Sequence, residues 1–226
     1  VPNRFNGEIL NHNIEVTIPK VMMRTKWGEA VTADNVWQEY PRPALRRQNW
    51  TNLNGHWNYA VTNQDAGKPD AWGGQILVPF AIESPLSGVE RRLRSDEALW
   101  YQRTIDIGEK KPKKRYLLNF EAVDYESTLL VNGKQVGKHI GGNLPFSFDI
   151  TDALTSGENT LTLRVTDATD SAYQLHGKQR RNPRGIWYTP VSGIWQTVWM
   201  EEVPTCHIKR LKTVTTTNGR VEVTAV

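Results

Sequence analysis

The sequence predicts an all-β protein, folded as a jelly-roll β-sandwich, from two kinds of observation. Apolar and polar residues alternate with period two in several short segments, most clearly in 160–166, where Leu161, Leu163 and Val165 alternate with Thr and Arg. Asn132-Gly133 separates two such segments, and this dipeptide is typical of a two-residue hairpin turn, in which both residues need positive φ. Long helical periodicity is absent, and many short strands with spaced turns indicate a sandwich or jelly roll.

The strands can be placed in order along the chain. Trp57, Tyr59 and Val61 are expected to share one face of the first strand. Later strands are predicted at 101–107, 116–120, 128–131, 160–166 and 198–201. Asn218-Gly219 predicts a second hairpin, between 208–215 and 220–226.

Differences in composition and residue pattern divide the chain into three parts. Residues 1–40 are polar and contain Pro2 and Pro19, so we expect an extended arm that lies over the sandwich. Residues 41–204 form the sandwich itself. Two strands follow Pro204, and because an isolated hairpin is marginal in water, residues 205–226 are predicted to begin a second β domain.

Composition limits the classes of function. The 226 residues include 28 Lys and Arg against 24 Asp and Glu, a mild basic excess. The basic run Lys110–Arg115 is expected to be a solvated turn, so no nucleic-acid partner is predicted.

Cys206 is the single cysteine, which excludes an internal disulfide. No segment reaches the ~18 apolar residues of a membrane span, so no membrane partner is predicted. We expect a periplasmic or secreted bacterial protein, with a cytoplasmic location as the alternative.

The run from Gly185 to Glu201 is the most informative stretch. It contains Trp187, Tyr188, Trp195 and Trp199 within seventeen residues. Aromatic rings form a dense core or stack on the flat apolar face of a sugar. Trp195 and Trp199 are expected in the core of a strand, whereas Trp187 and Tyr188 are candidates for a sugar site.

Six motifs in order resemble one known family. They are NLNGHW (52–57), VPFAIES (78–84), WYQRTI (100–105), the segment 120–151 around VNGKQVGKHIGG, NTLTLRVTD (159–167) and SGIWQTVWME (192–201). Over residues 40–204 this order is similar to the N-terminal sugar-binding domain of glycoside hydrolase family 2, which includes β-galactosidases and β-glucuronidases. The resemblance implies a jelly roll like that of galactose-binding domains, and it implies that 205–226 begins an immunoglobulin-like sandwich.

The resemblance also implies an enzyme of which this chain is a non-catalytic part. Family members are retaining glycosidases that use two carboxylates about 5–5.5 Å apart. Both lie in a TIM barrel, which takes ~250 residues. The chain has no room for a barrel and contains no Asn-Glu dipeptide, the acid/base signature of the family. We therefore expect a β-galactosidase-like parent that hydrolyses O-glycosidic bonds, and no catalytic residue or activity in this chain alone.

Two loops are expected to reach the sugar pocket of such an enzyme. The candidate substrate-binding residues are Glu83, Asp167, Gln179, Arg180, Trp187 and Tyr188. Four of them have a simpler alternative: Asp167 as a turn cap, Gln179 and Arg180 in a solvent-facing or interdomain loop, and Trp187 in the core. Trp187 stands where well-known members carry a sugar-contacting Asp, so the resemblance does not fix galactose or glucuronate as the sugar.

Other polar residues are expected to have structural roles. Asp124 and Glu126 are predicted to support the core or a turn, and His139 is predicted to fix the tight loop at Gly141-Gly142, with a sugar contact as its alternative. His176 has no partner at metal-ligand spacing, which argues against a zinc site. We expect no cofactor, and no acidic cluster in the sequence demands a structural calcium.

Three functions remain open at this point. The first is a domain of a family 2 glycosidase, whose partners are a carbohydrate and further domains of the same protein. The second is an independent carbohydrate-binding module, which requires an exposed aromatic platform. The third is a structural or interaction module without sugar binding. Apolar surface left exposed would also favour self-association of the chain.

Overall fold

The computed structural model describes residues 25–226, whose strands form two antiparallel sheets packed face to face. The four-stranded sheet has the spatial order β1 (Trp50–Asn52), β12 (Val198–Pro204), β5 (Lys114–Phe120) and β9 (Phe146–Asp149). The six-stranded sheet has the order β3 (Gly74–Val78), β2 (Gly55–Asn63), β4 (Glu97–Asp106), β10 (Glu158–Thr166), β7 (Glu126–Val131) and β8 (Lys134–Ile140). The predicted all-β sandwich is confirmed.

Two small strand pairs and four helical turns complete the described part of the chain. Strand β6 (Val123–Asp124) pairs with β11 (Gly193–Ile194), and β13 (Leu211–Thr215) pairs with β14 (Val221–Ala225). The helical elements are α1 (Lys26–Glu29) and the 3-10 turns Pro43–Leu45, Pro85–Ser87 and Thr151–Ala153. No helix within residues 25–226 is long and apolar enough to cross a membrane.

The core lies between the two sheets and follows the predicted alternation. Leu161, Leu163 and Val165 of β10 are fully buried there, opposite Leu118 and Phe120 of β5. Burial of these aliphatic and aromatic side chains provides the main free energy that holds the sheets together.

The first predicted hairpin is confirmed, and the second has a different turn. Asn132 and Gly133 link β7 to β8 with φ values of 51° and 80°. Between β13 and β14 the turn is longer than two residues, because Thr216 N–H donates to the Arg220 carbonyl and the Asn218 side chain accepts from Arg220 N–H. Gly219 has a φ of 84°, whereas Asn218 does not adopt positive φ.

The outer face of the four-stranded sheet is covered by the segment 36–50. Tyr40 packs edge-on against Trp199 of β12, with ring centroids 5.1 Å apart. Arg47 Nη1 lies 2.5 Å from Glu201 Oε2, and Tyr40 donates to the other oxygen of the same carboxylate. Trp199 is therefore buried beneath this segment rather than between the sheets. The first 24 residues of the predicted arm lie outside the described residues.

Trp195 also departs from its predicted place. It follows β11 instead of lying in a strand, and it is half-buried. Its indole N–H donates to the Gly142 carbonyl at 2.7 Å. Strand β11 ends at Ile194 and β12 begins at Val198. Because Trp195 lies between the two strands, it does not alternate with Trp199 along one strand as expected.

Candidate functional site

Three carboxylates lie together beneath the long loop 168–191. Glu83 comes just before the 3-10 turn Pro85–Ser87, Asp124 ends β6, and Asp167 directly follows β10. Asp124 and Asp167 are only 3% and 2% exposed. Ser192, at the end of the loop, hydrogen-bonds two of the three carboxylates, which places the cluster at the base of the loop.

Asp167 accepts hydrogen bonds from residues at both ends of the loop. Its Oδ1 accepts from Thr169 N–H and from Gln174 Nε2, both at 2.7 Å. Its Oδ2 accepts from the Ser192 hydroxyl at 2.7 Å, across 25 residues of chain. The turn-capping alternative thus describes the bond from Thr169, and the bond from Ser192 adds a long-range contact.

Glu83 is held at one oxygen only. Its Oε2 accepts from Ser192 N–H at 2.9 Å, while the buried Oε1 has no hydrogen-bond partner among the described residues. Burial raises the pKa of Glu83 to about 7, against the opposing effect of the Ser192 hydrogen bonds. The carboxyl therefore exchanges a proton near neutral pH.

Asp124 is the residue of the cluster that sequence reasoning did not select. Its Oδ2 accepts from Gln179 Nε2 at 3.1 Å, and its buried Oδ1 has no partner among the described residues. Burial, followed by the charges of Asp167 and Glu83, raises its pKa to about 7. A Cβ atom on Gly142 would lie 2.5 Å from the Asp124 Cγ, so only glycine fits beside this carboxyl.

Gln179 connects the buried cluster to the loop surface. While Nε2 donates to Asp124, its Oε1 accepts from Val191 N–H at 2.6 Å. The backbone beside it forms a parallel bridge with Tyr188, in which Arg180 N–H and Tyr188 N–H each donate a bond of 2.9 Å. One partly buried amide therefore positions two separate parts of the loop.

The outer surface of the loop presents an aromatic and cationic pair. The Arg180 guanidinium lies 4.3 Å from the centroid of the Trp187 ring, a cation–π distance. Asp170 holds the same side chain at 3.5 Å and that of Arg181 at 2.8 Å. Trp187 is 36% exposed and Tyr188 is 64% exposed, so the core alternative for Trp187 is wrong.

The six predicted residues therefore fall into two connected groups. Glu83, Asp167 and Gln179 belong to the carboxylate cluster at the base of the loop, whereas the Arg180, Trp187 and Tyr188 side chains lie at the surface of the loop. His139 is separate, since its ring stacks on Phe146 at 3.8 Å. Among residues 25–226, no group of three or more His, Cys, Asp or Glu side chains is arranged to hold a metal ion.

The geometry assigns the two groups different chemical capacities. A carboxyl that is 3% exposed is closed to a ligand, and the cluster is already bonded to Ser192 and Gln179. At the surface, Arg180 offers guanidinium N–H donors beside the exposed rings of Trp187 and Tyr188. This combination is suited to a polar ring such as a sugar.

Comparisons with known proteins agree with this fold. The model of the family described as glycosyl hydrolases family 2, sugar binding domain, matches residues 50–204. A putative β-glucuronidase of Formosa agariphila is 30% identical over 186 residues, which is 79% of this chain and 21% of that protein. A β-galactosidase of Thermoanaerobacter pseudethanolicus is 30% identical over 112 residues, covering 49% of this chain and 14% of that protein.

Solved structures show the same fold. The β-glucuronidase of Faecalibacterium prausnitzii superposes with a TM-score of 0.60 at 21% identity, over 83% of this chain and 37% of that one. The chain spans about a fifth of the length of the Formosa relative and about a third of the Faecalibacterium structure. On the family match over residues 50–204, the chain belongs to glycosyl hydrolases family 2, and those residues are its sugar binding domain.

Proposed function

We propose that the loop 168–191 forms a sugar-contacting edge of a family 2 glycosidase. In this proposal the parent protein is a retaining, β-galactosidase-like hydrolase of O-glycosidic bonds. Its two catalytic carboxylates lie in a further domain, and this chain by itself does not hydrolyse glycosides. The short coverage of the relatives, 21% and 14% of their lengths, supports assigning the chemistry to another part of such a protein.

The pairing of Arg180 with Trp187, beside Tyr188, is the observation on which the proposal rests. Stacking on the indole and the ion pair with Asp170 fix the guanidinium before a ligand arrives. Preorganised donors lose less conformational entropy on binding. An exposed aromatic ring next to them supplies a face on which the apolar side of a pyranose can stack.

The buried carboxylates act as supports for this edge. Raised pKa values often mark catalytic acids. Asp124, however, is closed to solvent and hydrogen-bonded to Gln179, which in turn holds Val191. Its role in the proposal is to set the position of the loop, and the surface residues make the contact.

Binding of sugars to this chain tests the proposal directly. Isothermal titration and saturation-transfer NMR with galactose, glucuronate, mannose and short β-linked oligosaccharides should detect weak, saturable binding of at least one sugar. Trp187→Ala and Tyr188→Ala should weaken it at least fivefold. Trp27→Ala is the matched control, because Lys26 lies 4.7 Å over that exposed indole in the same manner, outside the loop.

The outcomes separate the alternative functions. Tight, selective binding by the chain alone would identify an independent carbohydrate-binding module. If no sugar binds, the same substitutions should be made in the longer protein. An increase in KM for Trp187→Ala would then support the proposal, whereas unchanged KM and kcat would leave a structural module as the function.

A further inference from the structure

The face of the four-stranded sheet away from the core contains a cleft that the sugar-contacting loop does not use. Its volume is about 560 Å³, within the range of small-molecule sites. Strand β5, the segment 42–47 and residues 207–211 form its walls. Leu45, Leu117 and Leu211 give it an apolar lining.

Basic side chains dominate the charged groups of this cleft. Arg42, Arg47, Lys209 and Arg210 line it, against a single carboxylate, that of Asp149. Two of these charges are already neutralised. Arg47 pairs with the buried Glu201 at 2.5 Å.

The second neutralised charge is that of Asp149. Its Oδ2 lies 2.7 Å from Arg115 Nε, and its Oδ1 accepts from the Thr151 hydroxyl. Three cations then remain in the cleft, those of Arg42, Lys209 and Arg210. Among residues 25–226, none of the three has an Asp or Glu within ion-pair distance.

The walls of the cleft are fixed by hydrogen bonds. Arg42 stacks over Trp199 at 5.0 Å and reaches Asn119 Oδ1 at 3.5 Å. Arg47, while paired with Glu201, also donates from Nη2 to the Ile208 carbonyl at 2.6 Å. The backbone of Lys209 and Arg210 is held by the Val226 carbonyl.

We infer that this cleft binds a small organic oxyanion, a carboxylate or sulfate ester attached to an apolar ring. The ring would lie on the leucine side chains, and the oxyanion would take the open donors of Arg42 and Arg210. A guanidinium forms two parallel bonds to such a group, which favours a planar carboxylate or a sulfate over a neutral ligand. The site is independent of the loop 168–191.

Titration with simple probes tests this inference. Benzoate and phenyl sulfate are compared with inorganic sulfate and with uncharged benzyl alcohol, by isothermal titration and by amide chemical shifts. The two ring-bearing anions should bind, with shifts at Leu117 and Asn119, at least tenfold more tightly than either inorganic sulfate or benzyl alcohol. A preference between benzoate and phenyl sulfate would identify the oxyanion as carboxylate or sulfate ester.

Charge removal at exposed positions gives the decisive comparison. The double variant Lys209→Gln, Arg210→Gln removes two charges from exposed side chains and should weaken binding at least tenfold. Arg42→Gln should do the same, and Arg42→Lys should recover part of the loss. Lys134→Gln, Lys138→Gln, on the exposed hairpin of β8, is the matched control. Absence of binding, or equal losses in the control and the cleft variants, would overturn the inference.

Discussion

Gln179 donates a hydrogen bond of 3.1 Å to Asp124, a carboxyl buried 55 residues earlier in the chain. The same amide accepts from Val191 N–H. Through these two bonds, a loop with an exposed surface depends on one partly buried amide for its position.

Removal of this amide should release the loop. Gln179→Ala leaves a carboxyl and a backbone N–H without partners, which should lower the free energy of unfolding by about 1–3 kcal/mol. Urea denaturation measures this cost, and hydrogen exchange should accelerate at the Tyr188 amide. Gln135→Ala, at an exposed position on β8, should change neither. Unchanged exchange in Gln179→Ala would show that other contacts position the loop.

The carboxylate cluster should make stability fall as pH rises toward neutrality. The folded pKa values of Glu83 and Asp124 are about 7, above the unfolded values near 4, so the folded state binds more protons between these limits. Stability should decrease from pH 4.5 to about 8 and then level off. Asp149, Asp170 and Glu202, whose pKa values are lowered, stay ionised over this range.

Asp124→Asn isolates this effect. Asparagine resembles the protonated acid but cannot ionise, so the variant should gain stability relative to the parent chain as pH rises. The gain between pH 5 and pH 8 should be on the order of 2–4 kcal/mol. Thermal unfolding at several pH values measures it. A constant difference between the two proteins would show that Asp124 has an ordinary pKa.

A side chain at position 142 should destabilise the protein. A Cβ atom there would overlap the Asp124 carboxyl, so Gly142→Ala should cost about 1–3 kcal/mol by overpacking. Gly67→Ala, where the Cβ meets no atom within 4 Å, is the control. In an Asp124→Ala background, Gly142→Ala should cost less free energy of unfolding. Calorimetry on the parent chain, the two single variants and the double variant measures this difference. An unchanged cost would show that the overlap with Asp124 is not its cause.

The ion pair of Arg47 with Glu201 should be essential to the covering segment. Arg47→Met leaves a carboxylate with no solvent exposure opposed only by Tyr40, and should cost about 3–5 kcal/mol. The pKa of Tyr40 is raised to about 12 by burial and by Glu201, so its hydroxyl remains a donor. Arg47→Met with Glu201→Leu should cost less than Arg47→Met alone. Additive losses in denaturant unfolding would argue against direct coupling.

Local pattern was sufficient to predict the sandwich. Period-two alternation identified the β10 face that contains Leu161 and Leu163, and the Asn132-Gly133 turn followed from backbone sterics. Alternation shows that a residue such as Trp199 lies on a face of a strand, but it does not show what covers that face. Here the cover is the segment 36–50, which has no repeating pattern.

The site was less accessible to sequence reasoning. Side-chain chemistry and a position in a loop point to Glu83, Asp167 and Gln179 but not to Asp124. Strand β6 has only two residues, too short for any periodicity. The partners of Asp124 come from distant parts of the chain, and the requirement for glycine at 142 becomes visible only when the Asp124 side chain is placed beside it.

The anchoring of the loop has a consequence for how such a domain can diversify. The hydrogen bonds of Asp167 and Ser192 lie at its two ends, and Gln179 fixes its middle, while the side chains of Tyr173, Leu175 and Ile186 project into solvent. Residues between the anchors can therefore be exchanged without disturbing the sandwich. Transplanting the loop between homologous scaffolds with its three anchors intact should therefore transfer the proposed sugar-contacting surface as a unit.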